Sequence, residues 1–232
     1  MSGQTPQADP GAWVSRLQAL RNRFVDAPDS FGARYRARRW NWLHETFPDL
    51  DQMSVIDLGG TAESWLRAPV RPATVHTVNL EKPPEDLPDW IRADYADACD
   101  LPGEILAGSY DLVMSNSVIE HVGGHYQRQR FADAVHRLAD RHWVQTPYRY
   151  FPIEPHWVCP GFQFLPLAAR VRVAQHWPLV HTKPENRDKA LRDAMSVELT
   201  SRTEMKFYFP DSQIRAERVA GLTKSLIAVR SA

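Results

Sequence analysis

Val55-Ile56-Asp57-Leu58-Gly59-Gly60 is an apolar run that stops at glycine, and Tyr110-Asp111-Leu112-Val113-Met114-Ser115-Asn116-Ser117-Val118-Ile119-Glu120-His121 repeats the pattern about fifty residues later. Each run is nearly continuous in aliphatic side chains, as a strand covered on both faces must be. Each then ends abruptly in small or polar residues. Buried parallel strands look like this when their carboxyl ends open onto a ligand crevice.

Working outward, strands are expected over 54–58, 75–80, 90–95, 110–115 and 142–145, the last stopped by Pro147. Phe131, Ala134, Val135 and Leu138 recur at i, i+3, i+4 and i+7, which predicts an amphipathic helix between the fourth and fifth strands. Upstream, Trp13, Leu17, Leu20 and Phe24 predict a helix over 13–25, and a second covers 33–47 with Trp40, Leu43 and Phe47 on one face. Its other face carries Arg34, Arg36, Arg38 and Arg39, read as a solvated surface or a clamp for an anionic group. Pro147, Pro152, Pro155, Pro160 and Pro166 are interleaved with Tyr148, Tyr150, Phe151, Trp157, Phe162 and Phe164. Proline removes backbone donors and fixes φ, so this stretch is neither helix nor central strand. Its aromatic content argues for an ordered segment packed over a site. Helices are expected again over 167–174 and 188–199, and Ser201-x-x-Glu204 resembles a capping box. Strands over 214–219 and 225–229 flank Gly221 and read as a closing hairpin.

The order of these runs resembles the class I S-adenosylmethionine-dependent methyltransferases. The resemblance implies an α/β, Rossmann-like fold with a mostly parallel seven-stranded sheet, helices on both faces and an antiparallel C-terminal hairpin. It implies S-adenosylmethionine as cofactor. Asp57, Gly59 and Gly60 match the family's first loop, while Thr61 and Glu63 stand where later glycines often occur. Asn79, with Glu81 two residues on, stands where the family holds the ribose hydroxyls. Asp97-Ala98-Cys99-Asp100-Leu101-Pro102 is similar to the D-A-x-x-L-P segment that reads the adenine edge, which makes Asp97 and Ala98 the candidates there and Asp94 a reserve. Asn116 and Ser117 belong to the loop beside the methionine part. A nicotinamide enzyme would want G-x-G-x-x-G after the first strand, and a P-loop would want Lys-Ser or Lys-Thr; neither is present.

Methyl transfer aligns a nucleophile with a sulfonium carbon, which is mainly a positioning task. A hydroxyl acceptor must also lose a proton, and histidine titrates in the right range for that. His121 and His156 are the candidate bases, with Glu120 and Glu154 supporting. Some relatives hold a divalent ion with an E-x-x-E-H pattern and a distant ligand. Here Ser117 replaces the first Glu, leaving Glu120, His121 and His156, and a hard ion prefers oxygen donors, so a divalent metal is not favoured. The Thr-Pro-Tyr-Arg-Tyr-Phe-Pro-Ile-Glu-Pro-His string resembles actinobacterial sugar O-methyltransferases, which makes a saccharide the favoured small-molecule acceptor. The alternatives are a lipid or quinone-like phenol, and a non-catalytic cofactor-binding protein.

The 232 residues suit one methyltransferase domain over 13–232 after a disordered start at 1–12. Within it, 13–50 supplies N-terminal helices and 146–200 an acceptor-side insertion or lid. Lys plus Arg number 28 and Asp plus Glu number 28, so no global charge draws the chain to nucleic acid. Cys99 and Cys159 are the two cysteines, too sparse for a disulfide framework, and a reducing cytoplasm is expected. No apolar stretch approaches the ~20 residues that span a bilayer. Oligomeric state is not legible.

Overall fold

The computed structural model describes residues 31–180 and 183–231. The expected 13–25 helix, the 1–12 stretch and the side chains of Arg34 and Arg36 lie outside the described residues. By contact, the described chain forms two compact units: Trp40–Pro152 with 195–231, and 31–39 with 153–194.

The larger unit is built on one sheet. Its strands are β1 (Ser54–Leu58), β2 (Thr74–Asn79), β3 (Ile91–Tyr95), β4 (Leu112–Asn116), β5 (His142–Pro147), β8 (Gln213–Val219) and β9 (Leu222–Arg230), with β6 and β7 belonging to the smaller unit. They lie in the order β3-β2-β1-β4-β5-β9-β8. The first five are parallel, while β9 runs antiparallel to β5 and β8 antiparallel to β9. This is the mostly parallel seven-stranded sheet with an antiparallel C-terminal hairpin that the resemblance implies.

Period-two alternation sorts the strand residues into two cores. Val55, Val75, Leu112, Met114, Trp143 and Ile227 face one way, and Leu43 and Trp65 join them from helices α1 (Phe31–Thr46) and α2 (Ala62–Leu66). Ile56, Leu58, Val78, Val113, Val144 and Leu226 face the other way. There they meet Phe131, Val135 and Leu138 of α4 (His125–Leu138), after the short α3 (Gly103–Leu106), and Met205 and Tyr208 of α7 (Arg202–Tyr208). The capping box is formed: Ser201 Oγ accepts from Glu204 N, and Ser201 N donates to the Glu204 carboxylate at 2.7 Å. The hairpin turn is Ala220-Gly221, with φ of 48° and 81°, so β9 begins at Leu222, three residues before the expected 225.

In the smaller unit, β6 (Ile153–Glu154) pairs with β7 (Cys159–Pro160), and α5 (Leu167–His176) and α6 (Arg187–Met195) follow. Trp157 and Phe162 stack at 4.7 Å and bury themselves with Val171, Ala174 and Ala190. Those two aromatics of the proline-rich stretch are core. The helix expected over 188–199 stops at Met195. Beyond it, 196–200 is irregular, with a bend at Ser196 and an isolated bridge at Thr200, and its backbone groups bond to other segments rather than to a continuing helix. Among the described residues no helix is long and apolar enough to cross a membrane.

Candidate functional site

Strand order reverses between β1 and β4, and the crevice at such a switch point is where an open parallel sheet binds ligands. Pairing of β1 with β4 runs as far as Asp57↔Met114. Beyond it Ser115 Oγ donates to Leu58 O at 2.8 Å, and the chains turn away as loops.

Asp57 is buried beneath the first loop. Its Oδ2 accepts from Trp65 Nε1 at 2.8 Å, and its Oδ1 is buried with no hydrogen-bond partner. Burial pushes the carboxyl up to about 7, against the lowering effect of the Trp65 bond. A Cβ on Gly60 would lie 1.9 Å from Asp57 Oδ2, so only glycine lets the carboxylate sit there. Gly59 has φ of 82°, and a Cβ on it would meet Val118 Cγ2 at 2.3 Å. Gly59 thus lets the β1 loop approach Val118 of the β4 loop, while Gly60 makes room for the Asp57 carboxyl. Thr61 stands where the family often has glycine and instead caps α2, accepting from Ser64 N at 3.3 Å. Glu63 pairs with Arg67 at 2.8 Å.

Asn79 braces this loop. Its Nδ2 donates to Gly59 O at 2.8 Å and Gly60 O at 3.1 Å, and its Oδ1 accepts from Glu81 N at 3.1 Å. With both amide hydrogens committed, its part is to hold the glycine loop, and Glu81 is the exposed acid at this strand end. A cleft of ≈ 250 Å³ beside it is lined by Gly60, Thr61, Asn79, Glu81, Lys82 and Asp94. Leu80, after β2, and Tyr95, the last residue of β3, are 63% and 66% exposed. Asp97 is exposed, and its Oδ1 accepts from Cys99 N at 2.8 Å in a tight turn that buries Ala98. The reserve residue, Asp94, is taken up by Arg92 at 2.7 Å and His76 at 2.9 Å.

At the end of β4, Asn116 Oδ1 is buried without a partner. Ser117 follows at φ of 56°, a conformation that costs a non-glycine residue energy, with its N–H donating to Gln145 O at 2.9 Å. The next turn brings Glu120 and His121. Glu120 is buried, and its Oε2 accepts from Thr146 Oγ1 at 2.9 Å. His121 is exposed, with Nδ1 3.3 Å from Ser196 O. Glu198 N donates to Glu120 O at 2.8 Å. The 196–200 segment, of which 196–199 fall in the helix expected over 188–199, is therefore strapped onto the Glu120-His121 turn.

In the smaller unit, Glu154 is buried, accepting from Trp157 N at 2.7 Å through Oε2, while its Oε1 lies 2.7 Å from His156 Nδ1. A carboxylate on Nδ1 fixes the ring's orientation and makes Nε2 the acceptor nitrogen of the neutral ring. Cys159 is free and buried, and burial together with the Glu154 charge pushes its thiol up. A nucleophilic role for it has no support.

No family model matches the chain. No curated protein sequence matches it either. Solved structures do. A chain of Listeria monocytogenes assigned as an S-adenosylmethionine dependent methyltransferase is 13% identical with a TM-score of 0.51, over 84% of this chain and 97% of that one. The magnesium protoporphyrin IX methyltransferase of Synechocystis, solved with bound SAH, is 12% identical with a TM-score of 0.51, over 96% and 100%. A Rhodobacter sphaeroides chain assigned as a Zn-dependent alcohol dehydrogenase is 13% identical with a TM-score of 0.52, over 83% and 87%. At these identities the likeness carries architecture and not chemistry. Strand order, hairpin and structural likeness agree: the chain has a Rossmann-like class I methyltransferase fold.

Proposed function

We propose that this chain transfers the methyl group of S-adenosylmethionine to a hydroxyl of a small polar acceptor, with a saccharide favoured. The observation that carries the reading is the buried, unpartnered Asn116 Oδ1 at the switch point, beside a glycine loop that Asn79 and Asp57 hold in place. A buried acceptor without a donor is costly unless a ligand supplies one. The ammonium of an amino-acid moiety is such a donor.

The remaining groups suit the rest of the cofactor. Glu81 is an exposed acid for two ribose hydroxyls. Leu80 offers apolar surface to a base, and the Asp97-Ala98 turn offers a carboxylate and backbone groups to its edge. Asp57 lies under the loop, where its carboxyl holds the Trp65 indole N–H. When bound, the sulfonium supplies an electrophilic methyl carbon. The chain's own task is then to place a hydroxyl in line and to accept its proton. His121 is the first candidate base, with the buried Glu120 fixing its turn. His156, oriented by Glu154, is the second.

Tyr148 and Tyr150 support the saccharide reading: they pack edge to face at 5.5 Å, and Tyr150 stays exposed, as a ring stacking on sugar C–H groups must. The 146–200 region is proposed to select the acceptor.

The test is transfer of labelled methyl from S-adenosylmethionine to a panel of sugars, phenols and lipids, with and without chelator. Labelling of sugars, insensitive to chelator, is expected. His121→Ala should lower turnover about 100-fold or more while leaving affinity for the demethylated cofactor within about two-fold. Absence of labelling on every hydroxyl acceptor would contradict the reading.

A further inference from the structure

Arg128 is a buried guanidinium with no part in the site as described above. It lies on α4, 2% exposed, and faces two acids. Its Nη2 donates to Glu198 O and lies 3.2 Å from Glu198 Oε2, and its Nη1 donates to Glu204 Oε1 at 3.4 Å. Glu204 also closes the capping box of α7 and accepts from Arg149 at 3.1 Å. Arg149 in turn donates through Nε to Leu199 O at 2.8 Å and through its backbone N–H to Thr200 O at 2.9 Å. Two guanidinium groups thus hold successive carbonyls of the 196–200 strap.

That strap is the segment whose Ser196 O lies 3.3 Å from His121 Nδ1 and whose Glu198 N–H donates to Glu120 O at 2.8 Å. A carbonyl oxygen only accepts, so this contact is a hydrogen bond only when Nδ1 carries the hydrogen. In the neutral ring Nε2 is then the basic nitrogen, as a proton acceptor requires. The Ser196 carbonyl of the strap therefore favours Nε2 as the basic nitrogen. The strap follows a helix that ends at Met195 and has no ladder of its own beyond a single bridge, Tyr148↔Thr200. Both arginines hold it beside the Glu198 N–H to Glu120 O bond, and the more deeply buried of them, Arg128, reaches Glu198 at its middle.

We propose that Arg128 is a positioning residue: through Glu198 it holds the Ser196 carbonyl against His121 and so sets the imidazole tautomer that accepts the proton. This rests on the reading of His121 as a base. Mere structural bracing would be lost together with the fold; a positioning role alters the His121 ring in a protein that is still folded.

The experiment is nitrogen NMR of the full chain labelled at histidine, with His121 assigned by comparison with His121→Ala. The Nδ1–H form is expected to dominate in the unsubstituted protein. In Arg128→Leu that dominance should be lost in favour of Nε2–H, and Arg128→Lys, which keeps one charged donor, should restore part of it. If Arg128→Leu fails to fold, Arg128→Lys decides, with an intermediate tautomer ratio expected. An unchanged His121 spectrum in folded Arg128→Lys and Arg128→Leu, or in Arg128→Lys alone when the other does not fold, would overturn the proposal. Calorimetry of the same samples with S-adenosylhomocysteine separates the two readings. Failure of the unsubstituted chain to bind it would remove the proposed function, while the tautomer result would still decide the role of Arg128.

Discussion

At the scale of single residues, Asp57 shows how a site can be built against the interest of stability. Its carboxyl is held near pH 7 by burial, whereas an unfolded chain releases that proton near 3.8. The folded state therefore keeps a proton that the unfolded state gives up, and stability falls as pH rises from 3.8 through about 7. Asp57→Asn retains an oxygen for Trp65 and removes this loss. We expect it to be more stable than the parent by about 2–4 kcal/mol at pH 8, less the cost of a buried amide hydrogen, and little different near pH 4. Urea titrations of both proteins at the two pH values measure this; equal differences at both would contradict it. Gly59 and Gly60 were legible because glycine before a loop has few other uses. Asn79 was legible as important but its task was not. Whether an amide faces a ligand or braces a loop depends on where Gly59 O and Gly60 O come to lie, and local sequence does not carry that.

At the scale of elements, strands and their order were readable because burial on both faces forces continuous aliphatic runs. Helix ends were less so. The 188–199 pattern has helical periodicity throughout, yet the helix yields at Met195 because Ser196, Glu198 and Thr200 find better partners in residues from elsewhere in the chain. Such long-range competition leaves no mark in a local window. The β8–β9 hairpin offers an element-scale prediction. A two-residue turn with both φ values positive favours Asn-Gly, but this chain has exposed Ala220 at φ of 48° before Gly221. Ala220→Asn should raise stability by about 1 kcal/mol, seen as a higher urea midpoint at unchanged slope. A lower midpoint would contradict the turn assignment.

At the scale of the whole molecule, the larger unit carries a buried histidine that ties stability to acidity. His142 lies on β5 with Nε2 2.6 Å from Ser212 Oγ, near His136, Phe209 and Arg230. Burial, then the His136 and Arg230 charges, lower it from 6.5 to about 4. The unfolded chain binds this proton first as pH falls. Stability contributed by the neutral ring is therefore full above 6.5 and is lost between 6.5 and about 4. The loss should be on the order of 3 kcal/mol, and His142→Gln should flatten the stability curve over that window. An identical slope in both proteins would contradict it. The fold and the loops at the carboxyl ends of β1 and β4 were legible together because one sheet edge creates both. The path of 196–200 was not, because its partners are distant in sequence.

We propose that the switch-point edge of this sheet holds a sulfonium nucleoside. Titration calorimetry of the full chain with S-adenosylhomocysteine tests it most directly. One-to-one binding is predicted, weakened about ten-fold or more in Asn116→Leu with no loss of thermal stability. Folded protein that takes up no S-adenosylhomocysteine, or that binds it equally well with leucine at position 116, would contradict the claim.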